Sequence, residues 1–191
     1  MNISPLDGRY ARSVDELRPF FSEYALIRFR VQVELSWYKH LFAEKIVTKD
    51  QNMVDRVKNS HEELQKIFDN FNEEDGDRVK TIERTTNHDV KAVEYFLKEK
   101  FDATDLASMK EYLHICCTSE DINNLSYAMM MNESLKQVLL PTLNNLCDRL
   151  EAAAAQYADI PMLGRTHGQS ATPTTVGKEF ANYAYRLRRQ I

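Results

Sequence analysis

The sequence is poor in residues that end secondary structure, because its 191 residues include only five glycines and five prolines. So few turn formers favour long helices over many short strands. The three cysteines are Cys116, Cys117 and Cys147, an odd number with two adjacent, which does not describe a disulfide framework. We therefore expect reduced thiols and a cytoplasmic location.

Two further absences argue against whole classes of partner. No apolar run approaches the roughly 18 residues of a membrane span, and the first residues lack the apolar core of a signal peptide, so no membrane partner is expected. The net charge is −4 without a basic pole, so nucleic-acid binding is not expected either. Arg186, Arg188 and Arg189 are interpreted as a solvated helix face rather than a phosphate-binding patch.

Hydrophobic residues make up 43% of the chain and charged residues 28%, as in a globular protein. From Ser22 to about Ile46, two apolar stripes with steps of three and four residues run side by side. They predict a helix with a broad buried face at the centre of a packed domain. The stripes are Tyr24, Ile27, Val31, Leu35, Tyr38 and Phe42, and Leu26, Phe29, Val33, Trp37 and Leu41.

A second long helix is predicted from Ser119 to about Ala158. Its apolar positions alternate in steps of four and three, the seam of a helix that packs lengthwise against partners, and it would be roughly 60 Å long. Pro141 should kink this helix near Val138 without ending it. The seam consists of Leu139, Leu143, Leu146, Leu150, Ala153 and Tyr157.

The segment Ile160–Thr172 is expected to be an extended loop, with Thr172 capping a last helix that has Pro173 at its first position. That helix is still periodic at Ile191, so we expect the chain to be part of a longer one. No strand is predicted. The fold class is therefore all-α, with an N-terminal helical domain over residues 1–110 and the beginning of a long-helix bundle over 111–191.

Polar residues that could bind a ligand or transfer a proton concentrate at four interruptions between the predicted helices. His167 lies in a loop between Gly164 and Gly168, where glycines permit close approach of a ligand and a histidine exchanges protons near neutral pH. A structural histidine that ties the loop together is the alternative. The four clusters are Asp7–Tyr10, Thr85–Asp89, Cys117–Asp121 and Gly164–Gln169.

His88 stands beside Asp89 at the start of a predicted helix, where the carboxylate can orient the ring. The alternative is that Asn87, His88 and Asp89 only cap the helix. Thr118 and Ser119 begin the long helix, whose free amides and positive dipole end favour an anion, although both residue types also serve as plain caps.

Other classes of site find little support in the sequence. Arg9 can grip a phosphate or carboxylate with two hydrogen bonds, although a lone arginine is usually a surface residue. No metal site is expected, because His114, Cys116 and Cys117 are too crowded for a tetrahedral site. No cofactor is expected, because no glycine-rich phosphate loop has Walker or Rossmann spacing.

Taken together, the four clusters resemble the adenylosuccinate lyase family in order and spacing, over nearly the whole chain. The segments that carry the resemblance are Ser4–Tyr10, Glu83–Val90, Cys117–Asn124 and Arg165–Pro173. Loops of the Thr-x-His-Gly-Gln type occur in several members of the wider fumarase/aspartase superfamily. The Asp-Gly-Arg-Tyr start together with Thr-Asn-His-Asp narrows the resemblance to adenylosuccinate lyases of the bacterial type.

The resemblance implies cleavage of adenylosuccinate to AMP and fumarate, and of the succinylated aminoimidazole carboxamide ribotide to the carboxamide and fumarate. It implies a homotetramer whose long helices form a bundle and whose active sites are shared between subunits. His167 matches the general acid, and His88 the second catalytic histidine, which binds substrate and assists the reaction. The substrate-contacting positions of the family match Arg9, Tyr10, Asn87, His88, Asp89, Thr118 and Ser119.

The family's general base is a serine on a mobile loop that would lie beyond residue 191, so this chain alone is expected to be inactive. Two other functions stay open. One is a sister lyase, such as one that acts on argininosuccinate, against which Tyr10 and the Thr-Asn-His-Asp run argue. The other is a helical assembly module without chemistry, against which the four polar clusters argue.

Overall fold

A computed structural model describes residues 3–191, which form two compact units. The first unit ends at Glu133, and the second comprises Ser134–Ile191. The division into domains over residues 1–110 and 111–191 stays a prediction. Within residues 3–191, no helix combines the length and the apolar character that crossing a bilayer requires.

The first unit is made of helices that pack around one long helix, α2. Ser22 begins α2 as predicted, because its side chain accepts a hydrogen bond from the Ala25 N–H at 3.1 Å. Short 3₁₀ segments cover Ala11–Leu17 and Ala107–Tyr112. The helices are α1 (Arg18–Phe21), α2 (Glu23–Ala43), α3 (Gln51–Asn59), α4 (His61–Asp69), α5 (Glu73–Thr86), α6 (Asp89–Phe101) and α7 (Ser119–Ser134).

The core of this unit lies along the predicted stripes of α2. Val31, Leu35 and Tyr38 are buried, and the Tyr38 ring meets Phe101 of α6 edge to face at a centroid distance of 5.1 Å. Each large apolar side chain buried in this way contributes about 1.5–3 kcal/mol. The prediction that α2 has a broad buried face is thereby confirmed. The other helices of the first unit pack against this face.

The second unit begins with a π-helical turn, Leu135–Leu139, that leads directly into α8 (Leu140–Gln156). Pro141 was predicted to kink the helix near Val138 without ending it. The helix does continue, and the wider π-helical turn lies around Val138. Proline has no N–H to donate to the preceding turn, and a π turn is one way for a helix to accommodate such a mismatch. Helical residues therefore follow one another from Ser119 to Gln156.

The segment predicted as a loop is instead an antiparallel hairpin of β1 (Pro161–Thr166) and β2 (Gln169–Thr175). The predictions that the chain has no strand and that Thr172 caps the last helix are wrong. Pro173 lies in β2, and the cap is Thr175, whose side chain accepts from the Lys178 N–H at 3.1 Å. A proline is tolerated here because a two-stranded sheet has only edge strands.

The last helix, α9 (Val176–Arg188), packs closely on α8. Gly177 is buried at its start, and a Cβ there would lie 2.3 Å from the Ala154 carbonyl oxygen, so only glycine fits. Near its end, the Arg188 guanidinium hydrogen-bonds Asp148, Asn144 and Glu151 of α8. Arg188 thus connects two helices through these bonds, rather than lying free on the solvated helix face that was predicted.

Candidate active site

The junction between α5 and α6 places His88 in a defined position. Asn87 ends α5 in the left-handed region, with φ 50° and ψ 34°, a conformation that asparagine tolerates better than most residues. His88 then adopts an extended backbone and caps α6. The chain therefore turns from one helix into the next within two residues, and the imidazole stands at the turn, half exposed.

Both ring nitrogens of His88 have neighbours. Nδ1 accepts a hydrogen bond from the Lys91 N–H at 3.2 Å, and Nε2 lies 3.4 Å from the Ser119 hydroxyl oxygen. Because Nδ1 acts as the acceptor, a neutral ring carries its proton on Nε2 and donates it to Ser119. His88 therefore caps α6, and the same arrangement presents an N–H to the start of α7. Whether it only caps the helix or also contacts a substrate stays open.

Asp89 was expected to orient His88, but its carboxylate pairs mainly with Arg30. Its carboxylate forms a 2.6 Å ion pair with Arg30, whose side chain is buried in α2, whereas the nearest His88 nitrogen is 3.8 Å away. Burial alone would raise the pKa of Asp89. The positive charge of Arg30 and hydrogen bonds from the Val90 N–H and Arg30 outweigh burial and hold that pKa below its usual value.

Arg30 also reaches the long helix. Its Nε donates a hydrogen bond to Asn123 Oδ1 at 2.9 Å, so one buried guanidinium ties the first turn of α6 to the first turns of α7. The sequence does not reveal these contacts, because Arg30 lies 59 positions from Asp89 and 93 positions from Asn123 along the chain. The contact explains why His88 and Ser119 lie side by side.

The start of α7 already has an acidic side chain in its first turn, so the anion site predicted at Thr118 and Ser119 stays a prediction. The Thr118 N–H is bonded to the Asp121 carboxylate at 2.8 Å, which caps this end of the helix. Thr118 is exposed and Ser119 half-buried, so their hydroxyls remain accessible. Amides and the helix dipole favour a bound anion here, and the two hydroxyls add donors.

A cleft of about 340 Å³ opens beside His88, and polar groups dominate its rim. It is lined by Glu23, Leu26, Ile27, Arg30, Val79, Glu83, Asn87, His88 and Asp89. A larger cavity of about 570 Å³, bounded by Arg18, Tyr24 and Gly76 among others, contains no predicted site residue. Because chemistry needs polar groups that converge, we take the His88 cleft as the candidate site.

Arg9 and Tyr10 lie in the turns that precede the first 3₁₀ segment, and both are exposed. The Arg9 guanidinium stands over the Tyr10 ring, 5.6 Å from its centroid. Among residues 3–191, neither side chain forms a hydrogen bond or ion pair with the His88 cleft. The two therefore contact each other, and their place in the predicted site stays a prediction.

His167 belongs to the second unit and forms the tip of the hairpin. His167 and Gly168 have φ values of 52° and 76°, so both central residues of this two-residue turn are left-handed, as in a type I′ turn. The imidazole is exposed and is not part of an apolar interior. His88, Thr118 and Ser119 belong to the first unit, so the catalytic pairing of His167 with them stays a prediction.

A second polar cluster in the first unit was not expected. Glu34 on α2 is fully buried, and its Oε1 lies 2.5 Å from His114 Nδ1. The hydrogen bond to Glu34 raises the pKa of His114, although burial works against it. Cys117 donates its thiol to the His114 carbonyl at 3.2 Å, and burial, followed by the charge of Glu34, raises the pKa of Cys117 to about 12.

Solved structures share this fold. A β-carboxy-cis,cis-muconate cycloisomerase from Acinetobacter calcoaceticus superposes with a TM-score of 0.69 at 19% identity, over 92% of this chain and 38% of that one. A fumarate lyase from Mesorhizobium gives 0.68 at 22% identity, over 92% and 39%. The predicted all-α fold class is therefore confirmed, with the hairpin as an addition.

Curated relatives are much closer in sequence. An adenylosuccinate lyase from Escherichia coli is 51% identical over 189 residues, which are 98% of this chain and 41% of that protein. One from Haemophilus influenzae is 50% identical over 190 residues, 99% of this chain and 41% of that protein. The chain thus spans about 41% of the length of these relatives. A family model described as "Lyase" matches residues 8–191, and the chain belongs to that lyase family.

Proposed function

We propose that the protein containing this chain is an adenylosuccinate lyase. It releases fumarate from adenylosuccinate to give AMP, and from the succinylated aminoimidazole carboxamide ribotide to give the carboxamide. The observation that supports this most is the 51% identity to the Escherichia coli protein of that name, because a match of 189 residues spans all four polar segments.

The proposed reaction is an elimination. A base removes a proton from the carbon beside a carboxylate of the succinyl group, and the negative charge spreads onto that carboxylate. The electron pair then forms the C=C bond of fumarate while the C–N bond breaks, and an acid protonates the departing nitrogen. The base is proposed to be a serine from a part of the protein outside this chain.

His167 is proposed as the acid. Its exposed position at the end of a stiff two-residue turn supports this role, because a short turn holds the imidazole with little backbone freedom. A positioned acid contributes typically 10²–10⁴-fold to the rate. His88 is proposed to bind the substrate through Nε2–H, the proton that faces Ser119 in this structure.

The remaining residues are proposed to grip an anionic nucleotide. Thr118 and Ser119, at the start of α7, offer hydroxyls and a positive helix end to a carboxylate whose charge grows during the reaction. Asn87 and Asp89 line the cleft beside His88. Arg9 and Tyr10 are proposed to contact the substrate, with Arg9 free of any ion pair among the described residues.

The proposed assembly is a homotetramer with active sites shared between subunits, in the cytoplasm. Apolar side chains exposed on the second unit support the assembly, because a monomer would leave them in water. They include Leu143, Leu146, Tyr183 and Tyr185, which are between 38% and 66% exposed. The three cysteines are free, as is usual for cytoplasmic proteins.

The test is the rate of fumarate release by the intact protein with His167→Asn. Asparagine tolerates the left-handed backbone of this turn but carries no titrating nitrogen, so the fold stays while the acid is removed. We expect turnover to fall by roughly 10²–10⁴-fold. The matched control is His40→Asn, which changes an exposed histidine of α2 and should leave turnover unchanged.

Near-normal turnover in His167→Asn would remove His167 from the acid role. A panel of succinylated substrates separates the alternatives. Turnover of argininosuccinate in place of adenylosuccinate would assign the protein to the sister lyase. The absence of any turnover in the intact protein, together with assembly into stable oligomers, would assign it to a helical module without chemistry.

A further inference from the structure

Three side chains with metal-binding atoms converge below the start of α7. They are Glu34 of α2, and His114 and Cys117 of the segment that connects the second 3₁₀ segment to α7. One ligand atom from each lies within 4.8 Å of the other two. Glu34 and His114 are 80 positions apart in the chain, so this convergence is a product of the fold.

One oxygen of this cluster has no partner. Glu34 Oε1 is bonded to His114, but Oε2 is buried and has no hydrogen-bond partner among the described residues. An unpaired buried carboxylate oxygen is costly, and such groups are normally paired with donors or coordinate a cation. The ammonium groups of Lys91 and Lys98 pair with Glu94 instead.

The segment itself is held in place around the three ligands. His114 and Cys116 both have a φ of 60°, and the Trp37 indole N–H donates to the intervening Ile115 carbonyl at 2.8 Å. This backbone directs Cys117 inward and Cys116 outward, so that only Cys117 is part of the cluster. Adjacent cysteines thus have opposite environments.

We propose that Glu34, His114 and Cys117 bind one divalent transition-metal ion of the zinc type, with a fourth position open to water. Carboxylate, imidazole and thiolate together suit such borderline ions, which take bonds of about 2.0–2.3 Å. Ligand atoms around one ion lie roughly 3–4 Å apart in that geometry. The three ligand atoms already lie within 4.8 Å of one another, and the unpaired Oε2 of Glu34 is assigned as the oxygen ligand.

The charges balance on binding. As metal ligands the three residues are a carboxylate, a thiolate and a neutral imidazole, which together carry two negative charges. These charges match those of a divalent ion, so the ion does not bring uncompensated charge into the core.

The prediction of no metal site considered only the neighbours His114, Cys116 and Cys117. Glu34 replaces Cys116 as the third ligand and removes the crowding. The site lies next to Thr118 and Ser119, so a bound ion would fix the segment that leads into α7. It takes no part in the proposed elimination, and its existence does not depend on that function.

The test uses the intact protein, stripped of metal by a chelator and titrated with Co²⁺ as a spectroscopic probe. We expect a thiolate-to-cobalt absorption band in the near ultraviolet that saturates at one ion per chain. Cys117→Ser should lose the band, and Glu34→Gln should weaken binding. The matched control is Cys116→Ala, which removes the adjacent exposed thiol and should leave the band unchanged.

No band in the wild-type protein would overturn the proposal. A band that survives in Cys117→Ser, or disappears in Cys116→Ala, would overturn it as well, because the ion would then sit on a surface thiol. Circular dichroism of each variant establishes that a lost band is not a lost fold. Turnover is measured separately, so failure of the metal site is distinguishable from failure of the proposed enzyme activity.

Discussion

Among single residues, Arg30 has consequences well beyond its own position. Its side chain is 5% exposed and joins Asp89 to Asn123, so the beginnings of α6 and α7 share one buried charge. An arginine fits this place because its planar guanidinium donates in two directions at once. The proximity of His88 and Ser119 depends on this side chain, although no hydrogen bond within residues 3–191 joins Arg30 to either residue.

Replacement of Asp89 by asparagine tests that dependence. The variant leaves the buried Arg30 without its anionic partner, and we expect it to lower the free energy of unfolding by about 1–3 kcal/mol. The measurement is chemical denaturation of the intact protein at neutral pH. Asp15→Asn is the matched control, because the Asp15–Arg18 pair is exposed and such pairs contribute about 0–1 kcal/mol. Equal effects in the two variants would contradict the role given to Arg30.

The same pair predicts a pH dependence with a definite sign. The pKa of Asp89 is lower in the folded protein than its unfolded value of about 3.9, so its contribution is fully present above that value. As the pH falls through the folded-state pKa, the contribution is lost. We expect the difference in unfolding free energy between wild type and Asp89→Asn to be constant near neutrality and to shrink in acid. A difference that grows in acid would reverse the assignment.

Residues of the candidate site could be predicted from the sequence where the chemistry lies in local motifs. His88, Thr118 and Ser119 stand at helix starts, and a helix start is visible in the sequence as a change from polar cluster to apolar periodicity. Arg30 and Glu34 could not be found in this way, because they lie within the apolar pattern of α2. Their function is defined only by partners far away in the chain.

Among elements, the helices followed their apolar periodicity, and the hairpin was missed. Neither β1 nor β2 has a buried face, so the alternation that identifies a strand is absent from its sequence. The remaining signals were weak: Gly164 at the bulge between Leu163 and Arg165, and a His-Gly pair in the turn. Histidine is not the usual first residue of a type I′ turn.

Packing of α8 against α9 gives a prediction for Gly177. A Cβ at this position would lie 2.3 Å from the Ala154 carbonyl oxygen and 2.7 Å from the Ala158 Cα. Both are backbone atoms, so the helices must separate to make room. We expect Gly177→Ala to destabilise the intact protein by roughly 1–3 kcal/mol, the usual effect of overpacking, as measured by its thermal midpoint.

The control for Gly177 is on the same helix. Ala181 is exposed on α9, so Ala181→Ser should change stability by no more than about 0.5 kcal/mol. If Gly177→Ala raised the midpoint, as a glycine-to-alanine change in an unhindered helix does, the close contact between α8 and α9 would be refuted.

At the scale of the whole molecule, the second unit has few buried apolar side chains. The residues of α8 and α9 that are buried are Cys147, Gly177 and Ala184, whereas the predicted seam, including Leu143 and Leu146, is partly exposed. Stable monomers do not normally leave such a surface uncovered. The sequence predicted a helix seam that needs partners, and the number of subunits that supply them stays a proposal.

Shared active sites predict that two inactive variants restore each other. If a site takes His88 from one subunit and His167 from another, chains of His88→Gln and His167→Asn mixed equally should recover about a quarter of wild-type turnover, because each position is wild type in half of the chains. Subunits are exchanged by mild denaturation and refolding before fumarate release is measured.

A mixture of His167→Asn with His167→Ala is the control and should stay inactive, since no chain supplies that histidine. Recovery in the control would expose reversion or contamination. No recovery in the test mixture would place both histidines of a site in one chain. The exposed apolar seam of α8 would then have to be explained by subunit assembly without shared active sites.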